Sequence, residues 1–121
     1  MRLLLTISLL CWLSAAQAGG ARMLVQQSPL AGSQFYALAE CLPQIRVGDA
    51  LELVREPENR HDAQAIRVEW RGRKLGYLPR AQNRAISAAL DRGERLTARV
   101  SSVGDNKNPW QRLAFEVFAE L

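Results

Sequence analysis

Apolar residues in this chain recur mainly at every second position, in short runs broken by glycine, proline and asparagine, which is the period of half-buried strands. Ala50–Arg55 alternates, with Leu51 and Leu53 on one face and Glu52 on the other. Ala65–Arg71 alternates more cleanly: Ile66, Val68 and Trp70 point one way, Arg67, Glu69 and Arg71 the other. Gly72 permits a reversal, and Lys74–Leu78 returns as a strand, so a hairpin is predicted here. Arg95–Val103 alternates through Leu96, Ala98 and Val100, and Arg112–Ala119 through Leu113, Phe115 and Val117. Phe35–Ala39 is predicted as the first strand, before the interruption at Leu42-Pro43. The period changes once. After Pro79, Ala81, Ala85, Ile86, Ala89 and Leu90 keep helical spacing up to Gly93, which predicts one main helix opened by the proline and ended by the glycine. Five or six short strands with one helix between the fourth and the fifth define a mainly β, β-rich α+β domain, a small curled sheet or partly open barrel.

The first residues follow another rule. Met1-Arg2, the apolar run Leu3–Leu13 and the small residues up to Ala16-Gln17-Ala18 have the layout of a secretory signal peptide cleaved after Ala18. The run is shorter than the roughly 20 apolar residues of a membrane span. The expected organisation is a signal peptide over 1–18, a flexible lead-in over 19–31 and one domain over 32–121, with the product periplasmic or secreted. Met23-Leu24-Val25 is apolar, but Gln26-Gln27-Ser28 ends it before a period is established.

The 121-residue chain has 16 Lys+Arg against 12 Asp+Glu, a net charge of +4, so any basic bias must be local. Lysine appears only at Lys74 and Lys107; the other cations are arginines, whose planar forks match phosphate. With the leader removed, Cys41 has no partner for an internal disulfide and is expected to be buried as a small apolar residue. Neither Cys41 nor the one histidine, His61, has a partner at ligand spacing, so no metal and no cofactor are expected. His61 and Asp62 adjoin, yet no nucleophile completes a catalytic set, and Asn59 and Asp62 are expected to lock their loop by local hydrogen bonds. The region Val54–Arg84 carries the chemistry that remains. Arg80 and Arg84 stand four residues apart at the predicted helix entry, where the helix dipole disfavours cations and N–H groups with arginine forks can cradle an external anion. Arg55 and Arg60 extend a basic groove, and Phe35, Tyr36, Tyr77 and Trp110 lie near strand or loop ends where a ring can stack on a base. Trp70, Phe115 and Phe118 are assigned to the core.

The segment Leu53-Val54-Arg55-Glu56-Pro57-Glu58-Asn59, then Asp62, Ala65-Ile66-Arg67-Val68, Leu75-Gly76-Tyr77-Leu78-Pro79-Arg80, Asn83 and the Arg95–Val100 strand resemble the HIRAN domain over about Gly32 to Leu121. That family occurs at the front of helicase-like DNA translocases and as stand-alone bacterial proteins. The resemblance implies an OB-like β-barrel that grips the 3′-hydroxyl end of single-stranded DNA. By position, it implies Phe35 as a base-stacking ring, His61 and Asp62 near the terminal nucleotide, and Tyr77 and Arg80 facing phosphates. Two positions depart from the family: His61 stands where eukaryotic members have a stacking tyrosine, and Gln34 where a basic residue precedes the first aromatic. The helicase and zinc-binding parts fused to other members have no counterpart here. The expected function is a non-catalytic module binding single-stranded nucleic acid or DNA ends through Phe35, Tyr36, Arg60, His61, Asp62, Tyr77, Arg80 and Arg84. The export signal supports a rival expectation, an envelope protein whose barrel binds a protein, a glycan or another anionic polymer.

Overall fold

The computed structural model of the protein describes residues 20–121; the expected signal peptide lies outside them. Six strands, β1 (Arg22–Pro29), β2 (Ala50–Arg55), β3 (Ile66–Trp70), β4 (Arg73–Tyr77), β5 (Leu96–Val103) and β6 (Leu113–Glu120), form one antiparallel sheet in the order β1-β6-β5-β2-β3-β4. The sheet curls until Ala31, just beyond β1, bridges Tyr77 of β4. There the Ala31 N–H donates to the Tyr77 carbonyl at 2.8 Å and the Tyr77 N–H donates back at 2.9 Å. This contact turns the sheet into the small, partly open barrel expected of the alternating pattern. Gly76 makes it possible: a Cβ there would lie 2.5 Å from the Ala31 oxygen and 3.0 Å from Leu30 Cγ.

The inward faces match the sequence where it alternates. Leu51, Ile66, Val68, Trp70, Leu75, Ala98, Val100, Leu113, Phe115 and Val117 form the core with Leu30, Leu38, Cys41, Ile45 and Leu78. Cys41 is a free, buried thiol, packed as an apolar residue. The β3–β4 hairpin turns through Arg71 (φ 49°) and Gly72 (φ 77°), the paired positive φ values of the turn whose twist suits a two-residue hairpin. Phe118 is buried as expected, but on the outer face of the sheet. The guanidinium groups of Arg22 and Arg99 each lie 4.7 Å from its ring centroid.

Three expectations are corrected. The lead-in expected to be flexible over 19–31 contains β1, paired with β6 from Arg22↔Glu120 to Pro29↔Ala114. Its burial does not alternate, with Met23, Leu24 and Val25 exposed in succession and polar Ser28 buried, so backbone pairing rather than side-chain burial builds it. Second, Phe35–Ala39 is not a strand. A 3₁₀ turn (Ser33–Phe35), the short helix α1 (Leu38–Cys41) and a second 3₁₀ turn (Leu42–Gln44) follow Gly32, whose φ of 70° redirects the chain. Leu38, Cys41 and Ile45 are the buried positions, a helical spacing masked in sequence by the exposed Phe35 and Tyr36. Third, the main helix α2 spans Arg84–Asp91 rather than opening at Pro79, which instead precedes a 3₁₀ turn at Arg80–Gln82. Gly93 (φ 79°) ends α2 as expected: its N–H bonds to the Leu90 carbonyl, and the Glu94 N–H bonds to that of Ala89.

Candidate nucleic-acid interface

The loop between β2 and β3 is built by side chains that bond its own backbone. Asn59 Oδ1 accepts from the N–H groups of His61 (2.9 Å) and Asp62 (3.2 Å), and Asp62 Oδ1 accepts from the Gln64 N–H (2.9 Å). Asn59 also donates to Glu56 Oε1 at 2.9 Å. The expected local locking by Asn59 and Asp62 is therefore present, and it leaves Asp62 Oδ2 for a distant partner. That partner is Asn83, which donates at 2.7 Å from the entrance to α2. Asn83 is only 1% exposed, so it ties the loop to the helix instead of capping the helix with its side chain. This tether explains the broken helix start: the chain must place Asn83 toward the loop before regular helix begins. Arg80, in the 3₁₀ turn, makes a second tie by donating to the His61 carbonyl at 2.8 Å.

Between loop and helix entrance lies an open cavity of about 270 Å³. Its lining has polar members, Asp62, His61, Asn59, Arg80 and Asn83, and aromatic or apolar ones, Tyr36, Tyr77, Ala31, Ala65 and Leu78. Both residues of the barrel-closing bridge, Ala31 and Tyr77, are in that lining. Tyr36 and Tyr77 meet edge to face, with centroids 5.8 Å apart and planes at 68°. Lys74 Nζ lies 4.1 Å from the Tyr36 centroid and 4.4 Å from that of Tyr77, and it donates to the Tyr77 hydroxyl at 2.6 Å. The same hydroxyl donates to Glu56 Oε1 at 2.8 Å.

The carboxylates here are held ionised. Burial pushes the Asp62 carboxyl up, but the Gln64 N–H, the Asn83 amide and the charges of Arg80 and Arg55 outweigh it and hold the group below the ordinary aspartate value. Burial also pushes Glu56 up, and Asn59, Tyr77, Arg67 and Lys74 together hold it below the ordinary glutamate value. Burial, reinforced by Glu56, raises the Tyr77 phenol against the opposing pull of Lys74, so the hydroxyl stays protonated at neutral pH.

Of the residues expected at the site, Tyr36, His61, Asp62, Tyr77 and Arg80 line one cavity. Phe35, 75% exposed, adjoins Tyr36 outside the lining. Arg60 sits exposed on the loop and Arg84 exposed at the first residue of α2; neither lines the cavity, and among the described residues neither forms an ion pair. Arg55, expected in the basic groove, is used structurally. It forks onto Asp91 at 2.9 and 3.2 Å and donates to the carbonyls of Ala65 and Ala63. Asn83, Lys74, Glu56 and Ala31 were not expected as site residues. The available signal for Asn83 was a polar residue interrupting an apolar helical period. Trp110 lies 48% exposed on a 3₁₀ turn (Pro109–Gln111) that the Ser33 hydroxyl reaches through the Pro109 carbonyl at 3.5 Å, which sets it beside the turn bearing Phe35. Among the described residues no group of three or more His, Cys, Asp or Glu side chains is placed to hold a metal, and no helix is long and apolar enough to cross a membrane.

A small antiparallel barrel with an ionised carboxylate, arginines and tyrosines around one open cavity is an OB-like binding module. The sequence matches the HIRAN domain over residues 23–121, and the chain belongs to that family, which is associated with nucleic-acid binding. Among solved structures it is similar to a protein from Lactobacillus plantarum, with 29% identity and a TM-score of 0.72, covering 84% of this chain and 98% of that one. It is also similar in fold to the HIRAN domain of human HLTF, with 19% identity and a TM-score of 0.64, covering 84% of this chain and 81% of that one. A search of curated proteins finds no match.

Proposed function

We propose that the protein is a non-catalytic module that binds single-stranded nucleic acid by an unpaired end. The observation that carries this reading is one cavity lined both by Asp62, Arg80 and Asn83 and by Tyr36 and Tyr77. A nucleotide has a flat ring, hydroxyls and an anionic phosphate. The tyrosines offer the ring an apolar, aromatic surface. Each Asp62 oxygen accepts one protein hydrogen bond, and a carboxylate has lone pairs to spare for a sugar hydroxyl. Arg80 spends one nitrogen on the His61 carbonyl and keeps its charge for a phosphate. The volume, about 270 Å³, suits one terminal nucleotide. Exposed Phe35 and Trp110 carry the following bases, and Arg60 and Arg84 their phosphates. The family's association with nucleic acid supports the same reading.

Fluorescence anisotropy of the chain from Gly19 onward, with short single-stranded oligonucleotides whose 3′ ends are free or phosphate-blocked, tests it. Binding that is lost on blocking the 3′ end and weakened in Asp62→Ala and Arg80→Ala is expected. Equal affinity for duplex, blocked and free-ended strands would overturn end recognition.

We also propose that the chain is exported after cleavage behind Ala18, a reading supported by the leader layout of residues 1–18. N-terminal sequencing of the protein from a periplasmic fraction tests this. The same leader supports the rival reading, a barrel serving an envelope protein, glycan or anionic polymer. That reading gains if exported protein fails to bind any oligonucleotide.

A further inference from the structure

Lys74 is the cation nearest the tyrosines of the cavity, yet it is not part of the lining. The ammonium lies 4.1 Å from the Tyr36 ring centroid and gives one of its protons to the Tyr77 hydroxyl, so it touches both rings in different ways. That hydroxyl passes its own proton toward Glu56, whose carboxylate also takes the Arg67 guanidinium at 2.9 Å. The backbone repeats the connection: the Ala37 N–H donates to the Lys74 carbonyl at 3.1 Å, so one residue of β4 holds both the ring of Tyr36 and the turn that carries it. Burial pushes the Lys74 ammonium down, but the Tyr77 hydroxyl, the Tyr36 phenol and Glu56 outweigh that, and the group stays charged.

We propose that Lys74 is a positioning residue of the binding site: it clamps Tyr36 against Tyr77 by lying on the Tyr36 ring while bonding the Tyr77 hydroxyl, and it does not itself meet ligand phosphate. The role rests on the nucleic-acid reading of the cavity. The clamp itself is a property of the free protein. A cation over a ring face is attracted by the ring's quadrupole, and here the cation on the Tyr36 ring is also hydrogen-bonded to Tyr77, the two rings being set edge to face. Removing it frees Tyr36, which is otherwise on an exposed turn, and the ordering of that ring must then come from the ligand's binding energy.

The test compares the wild-type chain, Lys74→Met and Lys74→Arg. Aromatic ¹H–¹³C NMR of the free proteins reads the rings, and anisotropy with a fluorescein-labelled oligothymidylate over a series of NaCl concentrations reads binding. Lys74→Met is expected to move the Tyr36 and Tyr77 ring resonances and to weaken binding about tenfold at fixed salt. The slope of log affinity against log salt is expected to stay at the wild-type value. Lys74→Arg keeps a cation for the Tyr36 ring and a donor for the Tyr77 hydroxyl and is expected to keep most of the affinity. Unmoved ring resonances in Lys74→Met would overturn the clamp, as would a salt slope reduced by about 0.7, the mark of one lost phosphate contact on a single strand. If no variant and not the wild type binds the oligonucleotide, the nucleic-acid reading fails on its own. The ring resonances then still decide whether Lys74 holds the tyrosines.

Discussion

Asp62 is the residue on which loop, helix and cavity converge. Its Oδ2 is the acceptor for Asn83, a side chain only 1% exposed and therefore without water to replace a lost partner. Leaving such a buried donor unpaired costs about 1–3 kcal/mol. Asp62→Ala is accordingly expected to lower the unfolding free energy by about that amount, read as a lower urea midpoint at unchanged slope. The charge adds a pH dependence whose sign follows from the direction of the shifts. The Asp62 and Glu56 carboxyls are both held below their ordinary values of 3.8 and 4.5. The unfolded chain therefore binds more protons than the folded one across that range. Their contribution is complete above the ordinary values and is lost as pH falls through the depressed folded values. Urea midpoints measured at falling pH should hold level and then drop below the ordinary carboxyl range, with a shallower drop in Asp62→Ala. Asp62 was legible from sequence because a loop-locking aspartate beside asparagine is a local pattern, and the family resemblance pointed to the same position. Its partner was not, since Asn83 lies 21 residues on and only the fold brings the two together.

Elements show the same division between local and distant causes. The closing bridge between Ala31 and β4 depends on Gly76, because a methyl there would sit 2.5 Å from the Ala31 oxygen. Gly76→Ala must displace backbone or Leu30, and overpacking of this kind costs about 1–3 kcal/mol. The variant is expected to unfold at lower urea, and because Ala31 and Tyr77 line the cavity, to lose oligonucleotide affinity as well. A variant that lost stability and kept full affinity would show that the bridge does not shape the site. The strands β2 to β6 were readable because apolar residues recur at their inward positions and charged or polar ones at many of the outward positions. By contrast, β1 presents Met23, Leu24 and Val25 outward and buries Ser28, so a rule based on burial reads it backwards. The Phe35 turn failed for a related reason. Phe35–Ala39 reads as a strand in sequence, yet Phe35 is 75% exposed, and the core positions Leu38, Cys41 and Ile45 repeat at helical rather than alternating spacing. In both places apolar residues stand where folding alone does not need them.

At the scale of the whole molecule, the net charge of +4 is too small to bind a polyanion by itself, and many arginines are already spent. Arg55 is held by Asp91, Arg67 by Glu56 and Glu69, Arg73 by Glu40, Arg92 by Glu94 and Arg99 by Glu116. Arg60 and Arg84 stand outside these pairs on the loop and at the helix entrance, and Arg80 joins them with only a backbone carbonyl to serve. Arg80 lines the cavity, Arg60 is on the loop that borders it and Arg84 opens the helix after it, so these charges are local in an otherwise nearly balanced chain. Each phosphate they meet should release bound counterions, so affinity for a single strand falls with salt by about 0.7 log unit per log unit of salt for each contact. Three such contacts give a slope near −2 by that rule. Arg60→Ala and Arg84→Ala are each expected to flatten the slope by about 0.7 and to leave the urea midpoint almost unchanged, since neither residue holds the fold. Arg55→Ala should do the reverse, because this side chain supports the loop through the Ala63 and Ala65 carbonyls and meets no phosphate. Anisotropy titrations over a range of NaCl, run beside urea unfolding of the same variants, separate the two groups. A slope that Arg60→Ala and Arg84→Ala leave untouched, with Arg55→Ala flattening it instead, would place the strand on the other side of the β2–β3 loop.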